Sequence, residues 1–406
     1  MTLLIGLAAR NLTRNLMRTL ITSAAVVFGV MMMISGWGMI DGLDENVIRA
    51  EEDALSGHVL LRPDAYPDDG LSLPLDVTLA PSAALQAKLA DPRVTASTDR
   101  IWFTTRLIKG GDSVRAKGLG YNPQTDPVVF PRDLWKVEGA WPQGPDQLAV
   151  ASGLARLLKL QVGDAVTLEA RTRAGALNAL QFTISGVVST LNAGVDTLTV
   201  WLPMPTAEAL VLPEGARTSV AVRLKGGRGD ADAAKAWLSG DGWKARTATE
   251  AVTDILAINN IRRRALTLMV GILMAIAATG IANTVIMATY ERVREIGTLR
   301  AMGMGPGAVQ ALFLMEGAAM GVSAGGLGAA LGAALVYWYS VHGIDLSAAA
   351  AAQGAELSFS TMLYLHFSWS HIVISFLFGT AIAVLASIDP ARHAATLNPA
   401  DAVRAD

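Results

Sequence analysis

Four apolar runs divide this chain, and each is long enough to cross a bilayer. They extend from about Leu20 to Ile40, Leu266 to Thr289, Val309 to Tyr339 and Ser370 to Ile388. A hydrocarbon core takes about 20 residues of helix to span. The composition agrees: only 17% of the 406 residues are charged, against about 25% in ordinary soluble domains. Mean hydropathy is +0.39. The first run could be mistaken for a secretory signal, because Arg10, Arg14 and Arg18 precede it. It lacks a small-residue cleavage site, and Asp41-Gly42-Leu43-Asp44-Glu45 follows as a water-exposed flank, so a retained span is expected. The net charge of -2, with no basic tail, gives nothing for nucleic acid to bind. The absence of cysteine removes disulfides, thiolate chemistry and cysteine metal sites.

Arginine placement predicts orientation. Arg10, Arg14 and Arg18 precede the first span, Arg292, Arg294 and Arg300 lie between the second and third, and Arg392 and Arg404 follow the fourth. The loop from about Ser340 to Trp369 has no Lys or Arg. Both termini are therefore expected in the cytoplasm. Arg262, Arg263 and Arg264 run against this pattern, but long segments translocate whatever their charge. The expected layout is an amphipathic segment over 1–19, spans over 20–40, 265–289, 309–339 and 370–388, and a charged helix over 290–308. An outer loop over 340–369 and a cytoplasmic tail over 389–406 complete it.

The remaining segment, 41–264, reads as a folded α+β domain outside the cytoplasm. Strand-like alternation bounded by Gly, Pro or Asp occurs at His58–Arg62, Arg100–Ile108, Ser113–Gly120, Ala165–Glu169, Gln181–Ser189 and Ser219–Leu224. Helical patterns occur at Ser82–Leu89, Gly153–Leu158, Thr206–Leu210 and Asp230–Leu238. The domain is entered from span one and left into span two, so its ends must meet at the membrane. Modules with close termini often carry an inserted part, here expected at about 110–205. The fold class is thus four transmembrane helices with a large α+β domain between the first and second.

Several local patterns carry candidate roles. Arg10, Arg14 and Arg18 form one basic stripe with Leu4, Ile5, Leu12 and Leu16 set apart from it. They fit an interfacial helix on the inner leaflet, or simple topology enforcement. Gly317, Gly321 and Gly325, then Gly328 and Gly332, make a small-residue ridge in span three, suited to close packing within the chain or across a dimer. The plain alternative is glycine enrichment of membrane helices. Glu316 is an ionisable group in a span, either functional or paired with Arg294 or Arg300 near the surface. His366 and His371, beside Trp369, suit the interface better than a metal. Gly227-Arg228-Gly229-Asp230 reads as a turn.

The most informative segment lies between spans two and three, YERVREIGTLRAMG at residues 290–303. On a helix Glu291 and Glu295 share a face with Arg294, while Val293, Ile296 and Leu299 form an apolar stripe. Gly297 permits close backbone approach, and Gly303-Met304-Gly305-Pro306-Gly307 ends the helix. This is either a partner-binding helix or a solvated hairpin obeying the charge rule.

The string from Glu291 through Arg292, Arg294, Glu295, Ile296, Gly297, Leu299, Arg300 and Met302 to Gly303 closely resembles the signature of the MacB/FtsX/LolC–LolE superfamily of ABC transporter permeases. Leu314-Met315-Glu316-Gly317, the tail motifs Pro390–Ala395 and Leu397–Arg404, and the N-terminal Ala9–Asn15 with Arg18-Thr19-Leu20 fit as well. Met304-Gly305-Pro306 departs from the usual residues after the signature.

The resemblance implies a type VII, mechanotransmission permease of the bacterial inner membrane. Its 291–302 helix would seat in a groove of a cytoplasmic ABC ATPase dimer. The stripe would anchor, and the charges would set register. No GxxxxGK[ST] occurs in the chain, so ATP and Mg2+ are expected on a separate ATPase subunit, with no cofactor held by this chain. No HExxH, GxSxG or paired-carboxylate motif points to catalysis. Expected partners are a second permease copy, identical or homologous, membrane lipid, and a periplasmic chaperone or adaptor. Three activities remain open: release of lipoproteins or other lipid-anchored cargo, MacB-like tripartite efflux of small molecules or peptides, and FtsX-like signalling to cell-wall hydrolases. The length of the outer domain speaks against the third, and Asp53–Val59 tips the reading towards lipoprotein release.

Overall fold

The structure is a computed structural model that describes residues 16–67, 72–190, 192–211, 215–345 and 362–396. The N-terminal stripe with Arg10 and Arg14, most of the 340–369 loop and the tail motif from Leu397 onward lie outside them. In chain order the helices are α1 (Leu16–Glu51), α2 (Ala83–Leu89), α3 (Asp126–Val129), α4 (Ser152–Leu157), α5 (Ala193–Leu198), α6 (Met204–Val211), α7 (Ala231–Leu238) and α8 (Ala248–Ala251). They continue as α9 (Thr253–Glu291), α10 (Val293–Ala301), α11 (Pro306–His342) and α12 (Trp369–Thr396). The strands are β1 (Val59–Pro63), β2 (Val94–Lys109), β3 (Asp112–Tyr121), β4 (Lys136–Gly139) and β5 (Gln147–Ala151). After them come β6 (Ala165–Arg171), β7 (Leu177–Ser189), β8 (Thr199–Pro203), β9 (Ser219–Leu224) and β10 (Trp243–Thr247).

Two compact units emerge. The first holds the chain up to Asp44, Leu256–Ile344 and the chain from Leu363. Its long helices α1, α9, α11 and α12 are each long and apolar enough to cross a membrane. Their shared core includes Val30, Ile34, Met274, Ile281, Phe313, Ala324 and Ala383. Outward residues such as Leu268, Ile272, Leu327 and Leu385 stay exposed, as suits helices whose solvent is lipid. An extended segment before α12 lies along α1, where the His366 amide donates to the Gly38 carbonyl at 2.9 Å.

Asp41–Glu45 is not the exposed flank that the sequence suggests. Helix α1 continues through it, and these residues are half-buried or buried. The reason is long-range pairing: Arg263 of α9 bonds to Asp41 and, at 3.3 Å, to Asp44. Carboxylates held this way can stay on a helix that leaves the apolar zone.

The second unit, built on Glu45–Ile255, carries one ten-stranded sheet in the order β10-β1-β9-β2-β3-β8-β5-β7-β4, with β6 pairing β2 and β7. Most pairings are antiparallel, while β3–β8 and β5–β7 are parallel. Residues 110–205 supply most of the larger of two apolar clusters, with Phe103, Leu119, Leu148, Trp201 and Leu202 at its centre. The smaller cluster, with Val59, Leu61, Leu85, Val222 and Leu238, comes from residues before and after that range. Strands from both regions join the same sheet, since β2 pairs with β3 and β9. Between α1 and β1 the backbone forms a π-helical turn, Glu52–Ser56. It ends at Gly57, with φ of 64°, where a Cβ would meet the Val222 carbonyl oxygen at 2.7 Å, so only glycine fits.

Candidate functional site

Helix α9 stops at Glu291 because the chain kinks at Arg292, with φ −122° and ψ 15°. The Arg292 amide donates back to the Thr289 carbonyl, and its own carbonyl accepts from Ile296 to start α10. Its guanidinium reaches across to α11, where Nη1 donates to Glu316 Oε1 at 2.9 Å. Only 11% and 6% of the two side chains are exposed. Glu316 thus pairs with Arg292, a neighbour the sequence did not single out for it. A buried pair contributes little net stability, because desolvation offsets attraction, but it fixes geometry. Here it ties the kink to the next long helix. Glu295 in the first turn of α10 and Arg300 in the last both suit the helix dipole. Met302, capping α10, and Gly303 at φ 103° turn the chain into α11.

The faces of α10 differ from the sequence reading. Ile296 is 4% exposed and belongs to the core shared with Phe313 and Val285, and Gly297 is buried too. Val293 and Leu299 are half-buried. The apolar stripe thus turns inward, onto the chain's own helices, because an amphipathic helix lying against a bundle buries its greasy face there first. What α10 and its flanks present outward is Glu291, Arg294, Glu295 and Met302, with Arg292 and Arg300 half-buried.

The span-three glycines serve two neighbours. A Cβ on Gly317 would strike the Ser387 hydroxyl of α12, and one on Gly321 would lie 2.8 Å from Ala383 Cβ. Gly325 faces Thr380 and Phe376 at 3.3 Å and beyond. Gly328 instead faces α1, with the Val27 carbonyl oxygen at 2.6 Å, and Gly332 faces Met31 and Ile34 at 3.2 Å. The ridge packs within the chain, one half against α12 and the other against α1.

At the opposite end of the same unit, Asp41 lies 3.3 Å from His371 Nε2 as well as bonding Arg263. Asn259 donates to Asp44 at 2.6 Å, and Trp37 donates to Thr267 at 3.2 Å. His371 also meets the Trp37 ring edge-on at 5.2 Å. Among the described residues no cluster of His, Asp and Glu could hold a metal ion. This network was not legible in the sequence: its members are over two hundred residues apart, and only the unusual acids inside a helix flank hinted at it.

Residues 267–399 match the family described as FtsX-like permease C-terminal, and residues 19–239 match the MacB-like periplasmic core domain, more than half of the chain. The chain belongs to the MacB/FtsX type of ABC transporter permeases. A probable export ATP-binding/permease protein MacB from Pseudomonas entomophila is 23% identical over 96% of this chain. This permease spans 57% of that relative's length. An uncharacterised ABC transporter permease of Methanocaldococcus jannaschii is 22% identical over 99% of this chain and 98% of its own. The solved periplasmic region of MacB from Actinobacillus actinomycetemcomitans aligns with a TM-score of 0.35 and 12% identity, over 48% of this chain and 91% of that one.

The permease also carries a cleft of about 610 Å³ in its helical unit. Trp37 of α1 and Arg263, Arg264, Leu268, Ile272 and Ala275 of α9 line it. Its walls are apolar and its two arginines sit at one end of them.

Proposed function

We propose that this chain is the membrane subunit of an exporter whose ATP is hydrolysed by a separate cytoplasmic ATPase dimer. The kinked α9–α10–α11 element receives the ATPase's motion. The Arg292–Glu316 tie supports this reading most, because it joins a charged outward face to a long helix through a buried, directional bond. The outward Glu291, Arg294, Glu295 and Met302 would meet the ATPase, with Arg300 beside them setting register. Charged rims steer and orient partners. Movement of the helices then reshapes the outer domain, with no passage of cargo through a central pore. A second permease copy completes the assembly in the inner membrane, both termini facing the cytoplasm.

For the cargo, MacB-like export is the first reading. It follows the match to the periplasmic core domain, and relatives include one named for macrolide export from Photorhabdus laumondii. Release of lipoproteins or other lipid-anchored cargo, favoured by the sequence alone, is the second. The apolar cleft with Arg264 at its end supports it, since that lining suits acyl chains beside an anionic headgroup.

Two measurements test these readings. Reversing Glu295 to Lys or Arg300 to Glu should weaken co-purification with the ATPase while leaving membrane insertion intact, and an unaffected complex would reduce the segment to a connecting hairpin. ATPase stimulation by a macrolide or small amphipathic peptides, with none by a purified lipoprotein, is the result expected of export. The reverse pattern would hand the function to lipoprotein release.

A further inference from the structure

The distal end of α1 carries charges that contradict its own dipole. Glu51, Glu52 and Asp53 crowd a helix C-terminus, where acids are unfavourable and cations are favoured, and Glu45 lies nearly two turns back. Four side chains from the sheet unit meet this end residue by residue. Arg228 forks Glu52 through Nε and Nη2 at 2.7 and 2.8 Å, while its Nη1 donates to Glu45 at 2.6 Å. Arg223 donates to Asp53 at 3.4 Å and to the Val129 carbonyl at 2.6 Å. Arg100, fully buried, donates to the Ala54 carbonyl at 2.7 Å and to Asp126 at 2.8 Å. Asn192 donates to the Ala50 carbonyl at 3.2 Å.

These contacts are graded. Arg100 caps orphaned helix carbonyls from inside the core, a role cations fill well. Arg228 is different: it is part-exposed and holds two carboxylates two turns apart. Those two turns straddle the point where α-helix passes into π-turn, Glu51 to Glu52. Such transitions are weak points in a helix and recur at functional sites. Any bend there must break one of the two Arg228 contacts. The turn read from the sequence as incidental thus places a guanidinium across the joint.

We propose that Arg228 is a positioning residue that braces α1 across its α-to-π junction, so that displacement of the helix is delivered to the sheet and not lost in bending. This rests on the reading of the chain as a mechanotransmitting permease. Arginine suits the task because its planar fork engages one carboxylate bidentately while a third N–H reaches the other, which a lysine ammonium does not reproduce.

The chain has no cysteine, so introduced thiols are unique labels. Nitroxides at Arg49→Cys, exposed on α1, and Lys136→Cys, exposed on β4, report the angle of the helix end against the sheet, and parent and variants alike give up the Arg49–Glu45 contact. The full chain is reconstituted with its ATPase in proteoliposomes and measured with and without ATP–vanadate. The brace predicts a narrow distance distribution in the parent, at least twofold broader with Arg228→Ala, and intermediate with Arg228→Lys. The ATPase rate should stay within twofold, while ATP-driven efflux of erythromycin, used as a macrolide probe, falls at least tenfold in Arg228→Ala. A charge-swapped chain, Arg228→Glu with Glu45→Arg and Glu52→Arg, should narrow the distribution again and restore efflux, which a merely destabilised fold would not do. An Arg228→Ala distribution as narrow as the parent's overturns the brace. If the parent moves no probe on ATP hydrolysis, the exporter reading fails instead, while the distance comparison still decides the brace.

Discussion

Three glycines within one turn of α11 offer an internally controlled test of helix packing. An added methyl at Gly328 would lie 2.6 Å from the Val27 carbonyl oxygen and 3.0 Å from Val27 Cα. Both are backbone atoms, so no rotamer change relieves the clash and α1 must move away. At Gly325 the nearest atoms are the Thr380 hydroxyl at 3.3 Å and Phe376 Cδ2 at 3.4 Å, which yield by a few tenths of an ångström. At Gly326 the nearest atom is 3.9 Å away, an ordinary contact. Overpacking in a close-packed interior costs about 1–3 kcal/mol. The helix-propensity gain of alanine over glycine, about 1 kcal/mol in water, largely cancels here. A transmembrane helix keeps its backbone bonds in detergent as well, because apolar surroundings enforce them. Gly328→Ala should therefore lose about 1–3 kcal/mol, Gly325→Ala under about 1, and Gly326→Ala about nothing. Titrating the purified chain from mild detergent into SDS and following tryptophan fluorescence measures the order. Equal stability of Gly328→Ala and Gly326→Ala would refute the backbone-contact argument.

Other outcomes follow from buried charge. Asp126→Ala leaves the fully buried Arg100 without its carboxylate, so the chain should lose about 3–5 kcal/mol in thermal or denaturant unfolding. Burial pushes the Asp196 carboxyl up to about 6, although Thr190 and Ser189 bond to it. Its folded value exceeds the unfolded one near 3.8, so stability falls as pH rises from about 4 to 6 and is level above. Asp196→Asn should flatten that slope, of order 2–3 kcal/mol, in melting curves taken at pH 4 to 7.5. Glu316→Gln keeps shape but removes the charge that Arg292 meets, so ATPase coupling should drop while insertion and expression hold, read by the ratio of transport to hydrolysis.

Much of this architecture was legible because its signals are local. Run length marked the four spans, and alternation marked β1, β3, β6 and β9 within two residues and the later parts of β2 and β7. Strands β5 and β8 escaped because they are apolar on both faces: all five β8 residues are buried, and both strands pair in parallel on one side. Such runs show no period of two. The acids Asp41 and Asp44 were misplaced in water because their partner, Arg263, is distant in sequence. Periodicity showed that Val293, Ile296 and Leu299 form one stripe, but no property of a single helix says which neighbour takes it. Arg292 and Glu316 were each noticed, and only tertiary geometry joined them.

The pairing of β1 with β10 and β9 has a consequence for how the chain is made. Val59 faces Thr247 on one side and Val222 on the other, so the first strand of the sheet has only late strands as neighbours. During synthesis β1 must wait, with both edges unpaired, until nearly the whole domain has been extruded. Contacts of such wide sequence separation form slowly, and open strand edges invite wrong partners meanwhile. The sheet therefore closes last, and a chain stalled before residue 219 leaves a domain that cannot shut.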